Sequence, residues 1–185
     1  DEINLDYIRY PTEYPRELAS MSGDEKADHV EEFITMARNT IDAAGADTKL
    51  GISTYAILGW DYQRNFENLG QDIARFAPLV DIISPMAYPA SFKRGHYATG
   101  EYGRGRMYEL VYRTLMGYAD LLGPENTYKL RPWIQGYRVT AWDMSEQIDA
   151  VYDAELCGFT VWSPSNLYRP LYAALEKLEV PEQCL

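Results

Sequence analysis

The sequence has very few histidines, only His29 and His96 among 185 residues. His29 lies in a stretch of helical periodicity, so neither a His-rich metal set nor an HExxH motif can be assembled from this chain. A GxSxG nucleophile elbow and a GxxxxGK(S/T) phosphate loop are also absent. These absences argue against His-rich metallohydrolases, elbow-type serine hydrolases and P-loop nucleotide enzymes. We therefore expect neither a metal nor another cofactor.

Positive charge is also scarce, since 17 Lys and Arg stand against 28 Asp and Glu, for a net charge of −11. Such an excess repels phosphate backbones and anionic headgroups, so nucleic acid and membrane surfaces are not expected partners. No apolar run approaches the roughly 20 residues that cross a bilayer, so no membrane span is expected. Aromatic residues are plentiful instead, with 16 Tyr and 4 Trp. They suit a sugar or peptide surface, and equally a Tyr-rich core.

The chain has two cysteines, Cys157 and Cys184. Cys157 comes just before the last predicted strand, and Cys184 follows the last predicted helix. A helix that returns antiparallel to its strand ends near the start of that strand, so the two sulfurs can meet in a disulfide. A disulfide would indicate an extracytoplasmic or secreted protein. Two unpaired thiols are the alternative.

Strand-like and helix-like segments alternate along the whole chain, which indicates an α/β fold of parallel β/α units. The predicted strands span residues 3–10, 50–57, 81–88, 130–137 and 158–162. No linker interrupts them, so we treat residues 1–185 as one domain. A closed (β/α)₈ barrel needs about 250 residues. We therefore expect either a partial TIM barrel of about five strands or an open sheet.

The first predicted strand carries two polar residues on one face. Asn4 and Asp6 are two apart and point the same way, while Ile3, Leu5 and Tyr7 point toward the covering helices. Asn4 and Asp6 would then face the barrel interior. A lone ionised carboxylate is costly to bury, so Asp6 must be solvated, paired or functional. A catalytic or substrate-binding Asp6 and a structural pair with Arg9 are the two alternatives.

The fourth predicted strand places Trp133 and Gln135 on one face. A Trp ring followed by an amide at the top of a strand is typical of a sugar subsite, although a core Trp and a Gln that satisfies backbone groups fit the same pattern. Tyr88 on the third strand and Trp162 on the fifth are weaker candidates of the same kind. Asn166 suits a ligand or a helix cap equally well.

Four segments in the right order resemble motifs of a bacterial family, the glycosyl-hydrolase-like TIM-barrel domain. They are EINLDYIRYP at residues 2–11, DIISPMAYP at 81–89, RPWIQ at 131–135 and WSPSN at 162–166. The resemblance implies a (β/α)₈ barrel, of which this chain supplies strands four to eight, and a carbohydrate substrate. We expect the other strands to come from a longer polypeptide, or the sheet edges to self-associate.

The resemblance also implies site residues. Where we expect an acidic residue at the end of the second strand here, the chain has Tyr55, which we count as substrate-binding together with Asn4 and Trp133. The family's motif positions are occupied by Asp6, Arg9, Tyr88, Gln135, Trp162 and Asn166.

Glycoside hydrolysis generally uses two carboxyl groups, and the second one is not obvious here. Asp6 is the candidate nucleophile or base. Asp61, just beyond the second strand, and Glu101, in the long loop after the third, are the candidate acids. We therefore expect a glycosidase that acts on a polysaccharide or glycoconjugate. The alternatives are a non-catalytic carbohydrate-binding barrel, and a structural or assembly role in which Asp6 only pairs with Arg9.

Overall fold

A computed structural model describes residues 1–12, 20–45, 47–95, 97 and 100–185 of the chain. Within these residues a five-stranded parallel sheet has the sequential order β1-β2-β3-β4-β5. The prediction of parallel β/α units is confirmed, and the result is a half-barrel, a partial TIM-barrel-like fold. The strands, all shorter than the predicted segments, are β1 (Glu2–Leu5), β2 (Lys49–Tyr55), β3 (Ile82–Ala87), β4 (Trp133–Gln135) and β5 (Thr160–Trp162).

Helices connect the strands and pack on the outer face of the sheet. Between β1 and β2 lies the 21-residue α1. No helix among the described residues is long and apolar enough to cross a membrane. The helices are α1 (Gly23–Ala43), α2 (Tyr62–Leu69), α3 (Ile73–Phe76), α4 (Arg106–Leu122), α5 (Ala141–Asp153) and α6 (Arg169–Leu175).

The register of the sheet separates a polar inner face from an apolar outer face. Matched residues of parallel strands point to the same side, and Ser53 is matched with Ser84, Met86 with Trp133, and Gln135 with Trp162. The alternate residues point outward to the helices and are fully buried. They include Leu50, Ile52, Ile83 and Ile134, the centre of the hydrophobic core.

Local signals set the helix boundaries. Ser22 followed three residues later by Glu25 predicts a capping box, and it is present at the start of α1: Ser22 Oγ accepts from the Glu25 amide, and Glu25 Oε2 accepts from the Ser22 amide at 2.8 Å. Before α5, Asp143 and Ser145 are residue types that favour the cap position, and the sequence therefore predicts a cap at one of them, which is wrong. Thr140 is the N-cap, and Asp143 is its partner three residues on.

The helical spacing of Leu69, Ile73 and Phe76 predicts one short helix over residues 68–77, which is also wrong. Gly70 adopts a left-handed conformation with φ of 65° and ends α2, and α3 begins three residues later with Asp72 as its cap. A glycine in this conformation is a common helix stop.

The predicted disulfide between Cys157 and Cys184 is formed, with 5.2 Å between the Cα atoms. It fastens the C-terminal segment to the turn that precedes β5. His96, the second histidine of the chain, lies outside the described residues.

Candidate active site

Three aromatic rings meet at the C-terminal ends of β3, β4 and β5, where β/α proteins place their chemistry. Tyr88 follows β3 and stacks on Trp162, the last residue of β5, with 5.6 Å between ring centroids. Tyr137, two residues beyond β4, meets the edge of Trp162 at 5.3 Å and of Tyr88 at 6.2 Å. Trp162 remains 41% exposed. We call Tyr88, Tyr137 and Trp162 the aromatic platform.

Burial keeps the phenols of the platform protonated. Desolvation raises the pKa of Tyr88 well above its ordinary value, and the charges of Tyr137 and Asp6 add to the rise. Burial also raises the pKa of Tyr137, while nearby Arg138 and a hydrogen bond with Ser91 oppose the rise. Two consequences follow: both hydroxyls stay available as hydrogen-bond donors, and the Asp6 carboxylate lies within electrostatic range of Tyr88.

The Asp6 carboxylate forms no ion pair with any described residue. Its Oδ1 accepts from the backbone N–H of Tyr7 at 2.8 Å, and Tyr7 has a φ of 62°. The structural Asp6–Arg9 pair is therefore not formed. The Arg9 guanidinium instead lies between the rings of Tyr7 and Tyr55, at 4.4 and 4.5 Å from their centroids. Tyr7, predicted to point toward the helices, is exposed instead.

A buried glutamine outside the predicted set holds the segment that follows β1. The Gln71 amide nitrogen donates to the carbonyls of Ile8 at 3.2 Å and Ser53 at 3.3 Å, and its oxygen accepts from the Tyr55 N–H at 3.0 Å. Regular pairing of β1 with β2 stops at Leu5. Gln71 therefore joins the two strand ends that carry Asp6 and Tyr55.

A pair of buried glutamines, Gln135 of β4 and Gln147 of α5, supports the platform. Gln147 of α5 accepts from the Gln135 N–H at 2.8 Å and donates to the Gln135 carbonyl at 3.0 Å. The Gln135 side chain accepts from the Ala90 N–H at 2.8 Å and donates to the Tyr137 carbonyl at 2.8 Å. Both ends of the Gln135 amide thus bind backbone groups, which is the structural alternative to a sugar-binding role.

Below the platform, the inner face of the sheet is held by polar side chains. Ser53 Oγ accepts from Asn4 Nδ2 at 2.8 Å and from Trp133 Nε1 at 3.2 Å. Arg131 donates to Glu2 Oε1 at 2.6 Å across the sheet. Asn4 of β1 and Trp133 of β4 therefore both bind Ser53 of β2, and Asn4 faces inward as its alternation predicts.

The two candidate acids differ in their surroundings. The Asp61 side chain is exposed and makes no hydrogen bond to the N-terminus of α2, although it occupies the N-cap position. Glu101 pairs with Arg113 of α4 at 3.5 Å. Glu101 also lies in a loop anchored by buried Glu109, whose carboxylate accepts from the Gly100 N–H.

Asn166 is exposed, and its backbone adopts a left-handed conformation with φ of 54°. It does not cap α6, because the N-cap of that helix is Tyr168.

A cavity of about 360 Å³ opens beside the platform, between Tyr55 of β2, Met86 of β3 and Tyr88. Its volume is in the range of sites that enclose small ligands. Trp162 and Tyr137 border a wider depression of about 860 Å³ on the other side. In the ranges that the structure describes, no group of three or more His, Cys, Asp or Glu could hold a metal ion.

Comparisons with known proteins place the chain among carbohydrate-active folds. A family model described as "Putative glycosyl hydrolase domain" matches residues 1–168. No curated protein matches the sequence.

Two solved structures are similar in fold. The Bacillus cereus spore cortex-lytic enzyme SleL matches 98% of this chain with 9% identity and a TM-score of 0.61. Bee venom hyaluronidase matches 83% with 12% identity and a TM-score of 0.52. This chain spans 50% of the first structure and 52% of the second. At these identities the likeness concerns the fold.

Proposed function

The chain belongs to the glycosyl hydrolase domain family whose model it matches, and from this premise we propose that it is a glycoside hydrolase module acting on a polysaccharide or glycoconjugate. The observation that carries the proposal is the aromatic platform with the unpaired Asp6 carboxylate nearby. An exposed indole offers a flat apolar surface to the C–H face of a sugar ring, and protonated phenols donate to its hydroxyls.

In this proposal Asp6 acts as the nucleophile or base. Its carboxylate is available for this role, because no described residue forms an ion pair with it and its recorded partner is the Tyr7 N–H. Glycosidases use a second carboxyl group to protonate the leaving oxygen. Asp61 and Glu101 are the candidates for that role: the Asp61 carboxyl group is exposed, and Glu101 is engaged with Arg113.

The remaining predicted residues bind or position substrate in the proposal. Tyr55, Tyr88 and Trp162 line the space open to a ligand, and Asn166 lies exposed after β5. Arg9 positions Tyr55 at the edge of the cavity by stacking between the rings of Tyr7 and Tyr55. Asn4, Trp133 and Gln135 act as positioning residues, since their polar atoms contact other parts of the sheet.

The similar structures suggest the first substrates to test. One is named for the lysis of spore cortex and the other for hyaluronan, so cell-wall glycan and hyaluronan are the initial polymers. The disulfide supports an extracytoplasmic setting, where such polymers are found.

A non-catalytic carbohydrate-binding module is the second candidate. It is favoured by one observation. Among the described residues, Asp6 is the single carboxylate whose charge raises the pKa of Tyr88. Such a module would bind glycan through Trp162 without turnover.

The test is release of reducing ends from bacterial cell wall, chitin and hyaluronan by the wild type, Asp6→Asn and Trp162→Ala. Asp120→Asn, a substitution of an exposed carboxylate on α4, is the matched control. We expect Asp6→Asn to abolish hydrolysis and to leave glycan binding in place, and Asp120→Asn to behave as wild type. Hydrolysis by Asp6→Asn at the wild-type rate would refute the assignment. Binding without hydrolysis by the wild type would select the second candidate.

A further inference from the structure

A polar helix face lines a second depression beyond the cavity of the platform. Asp61, Arg64, Asn65 and Asn68 recur at spacings of three and four residues, so they share one side of α2. They line an open depression of about 770 Å³. The other side of α2 packs into the core through Phe66 and Leu69. The depression is therefore built on a fixed helix.

This depression adjoins the cavity beside the platform. Ile57 and Tyr97 line both spaces. The Tyr97 ring meets Trp60 and Phe92 edge to face, at 5.2 and 5.0 Å between centroids. The two spaces lie side by side near the C-terminal ends of β2 and β3.

The wall between the two spaces is anchored to α4. Trp60 donates from Nε1 to Thr114 Oγ1 at 2.9 Å, and Arg113 lies 4.3 Å over the Trp60 ring. With one ring face and its N–H engaged by α4, Trp60 holds Tyr97 in place between the two spaces.

Two polar side chains in the depression are available to a ligand. Arg64 and Asn68 are exposed, and neither forms an ion pair or side-chain hydrogen bond with another described residue. Asn65, in contrast, donates to the Asp61 carbonyl at 2.6 Å. A guanidinium and a free amide supply several donors and one acceptor, which match sugar hydroxyl and carbonyl oxygens.

We propose that this depression is a distal sugar subsite, in which Arg64 and Asn68 bind a unit of the glycan beyond the one on the aromatic platform. The inference rests on the proposed function and deepens it. Two adjacent subsites, one on each side of Tyr97, accommodate a glycan polymer. Short oligosaccharides occupy the platform alone, and longer ones span Tyr97 and reach α2.

The experiment compares disaccharides with hexasaccharides of chitin and hyaluronan, by calorimetric binding and by hydrolysis. The proteins are wild type, the double variant Arg64→Ala/Asn68→Ala, and Lys177→Ala, a substitution of an exposed cation beyond α6. We expect the double variant to lose about tenfold in affinity or kcat/KM for hexasaccharides. Its affinity for disaccharides should stay unchanged, and Lys177→Ala should match wild type on both. Thermal unfolding of each variant checks that these exposed substitutions leave the fold intact.

Equal behaviour of the double variant and wild type on hexasaccharides would overturn the distal subsite and leave the proposed function standing. An equal loss on disaccharides would also overturn it, because the residues would then act at the platform. Wild type that neither binds nor hydrolyses any of these probes would refute the proposed function, and the subsite with it.

Discussion

Two buried glutamines, Gln71 and Gln147, connect the loop and helix layers to the backbone that carries the candidate site. Each uses both ends of its amide on main-chain groups that the sheet leaves unpaired. Buried polar groups left without partners cost about 1–3 kcal/mol each. The glutamines therefore stabilise the fold and fix the direction in which the strand ends leave the sheet.

At the scale of single residues, we expect Gln147→Leu to lower the free energy of unfolding by about 2 kcal/mol or more. The substitution leaves the buried N–H and carbonyl of Gln135 without their partners. Loss of that anchor should also loosen Tyr137 and shift the Trp162 fluorescence to longer wavelength. Urea unfolding and emission spectra measure the two effects. Gln63→Leu, a substitution of an exposed glutamine on α2, is the control. Equal stability of Gln147→Leu and wild type would show that water replaces the amide.

At the scale of elements, the break between α2 and α3 depends on Gly70. Its φ of 65° is one that side-chain-bearing residues rarely adopt. A Cβ added there would lie 2.4 Å from the Lys26 Cβ of α1. Gly70 therefore both ends a helix and lets α1 approach it closely.

Gly70→Ala and Gly45→Ala separate these two contributions. Gly45 has a similar φ of 63° but no described atom within 4 Å of an added Cβ. We expect Gly45→Ala to cost about 1 kcal/mol of conformational strain. Gly70→Ala should cost about 2 kcal/mol more, since α1 must move. Chemical denaturation of both variants gives the difference in their free energies of unfolding. Equal losses would show that α1 moves away from the added Cβ at no cost in stability.

At the scale of the whole molecule, buried tyrosines make stability depend on alkaline pH. Burial raises the pKa of Tyr118, whose hydroxyl is hydrogen-bonded to the Thr54 hydroxyl and to the Tyr55 carbonyl, at 2.8 Å each. Burial likewise raises the pKa of Tyr62, Tyr88 and Tyr108. In the unfolded chain these phenols ionise near pH 10.

Because the folded pKa values are raised, the contribution of these tyrosines is fully present below about pH 10 and is lost as pH rises above it. We expect the Tm to be level between about pH 8 and pH 9 and to fall steeply above about pH 10. Calorimetry across this range tests the expectation. Tyr118→Phe should show a shallower fall, and a wild-type Tm that stays level to about pH 11 would contradict it.

The two ends of the described sheet are incompletely covered. β1 and β5 each pair with one neighbouring strand. Beside β1 and along α1, Ile3, Phe33 and Met36 are about half exposed, and Leu167 and Tyr172 are exposed after β5. Unpaired strand edges next to apolar side chains are sites of further pairing.

We propose that these edges pair with further strands, from a longer polypeptide or from another copy of this chain. The 185-residue chain by itself should then associate as its concentration rises. Sedimentation equilibrium measures this, and adding a charged residue by Ile3→Lys should weaken the association. A 21.2 kDa monomer at every concentration would contradict the proposal.

The sequence by itself determined the β/α alternation, the capping box of α1 and the inward direction of Asn4. These features depend on periodicity or on neighbours along the chain, so local physics specifies them. The tertiary structure alone decided the partners: Arg9 between two tyrosines, Gln135 bound to backbone, and Gln71 joined to Ile8, 63 residues away. A lone glutamine has no periodic signal, and its partner is set by how the helices pack on the sheet. For the same reason the sequence pointed to Asp6, Tyr88 and Trp162 one by one, while their placement in space, with Tyr137, required the fold.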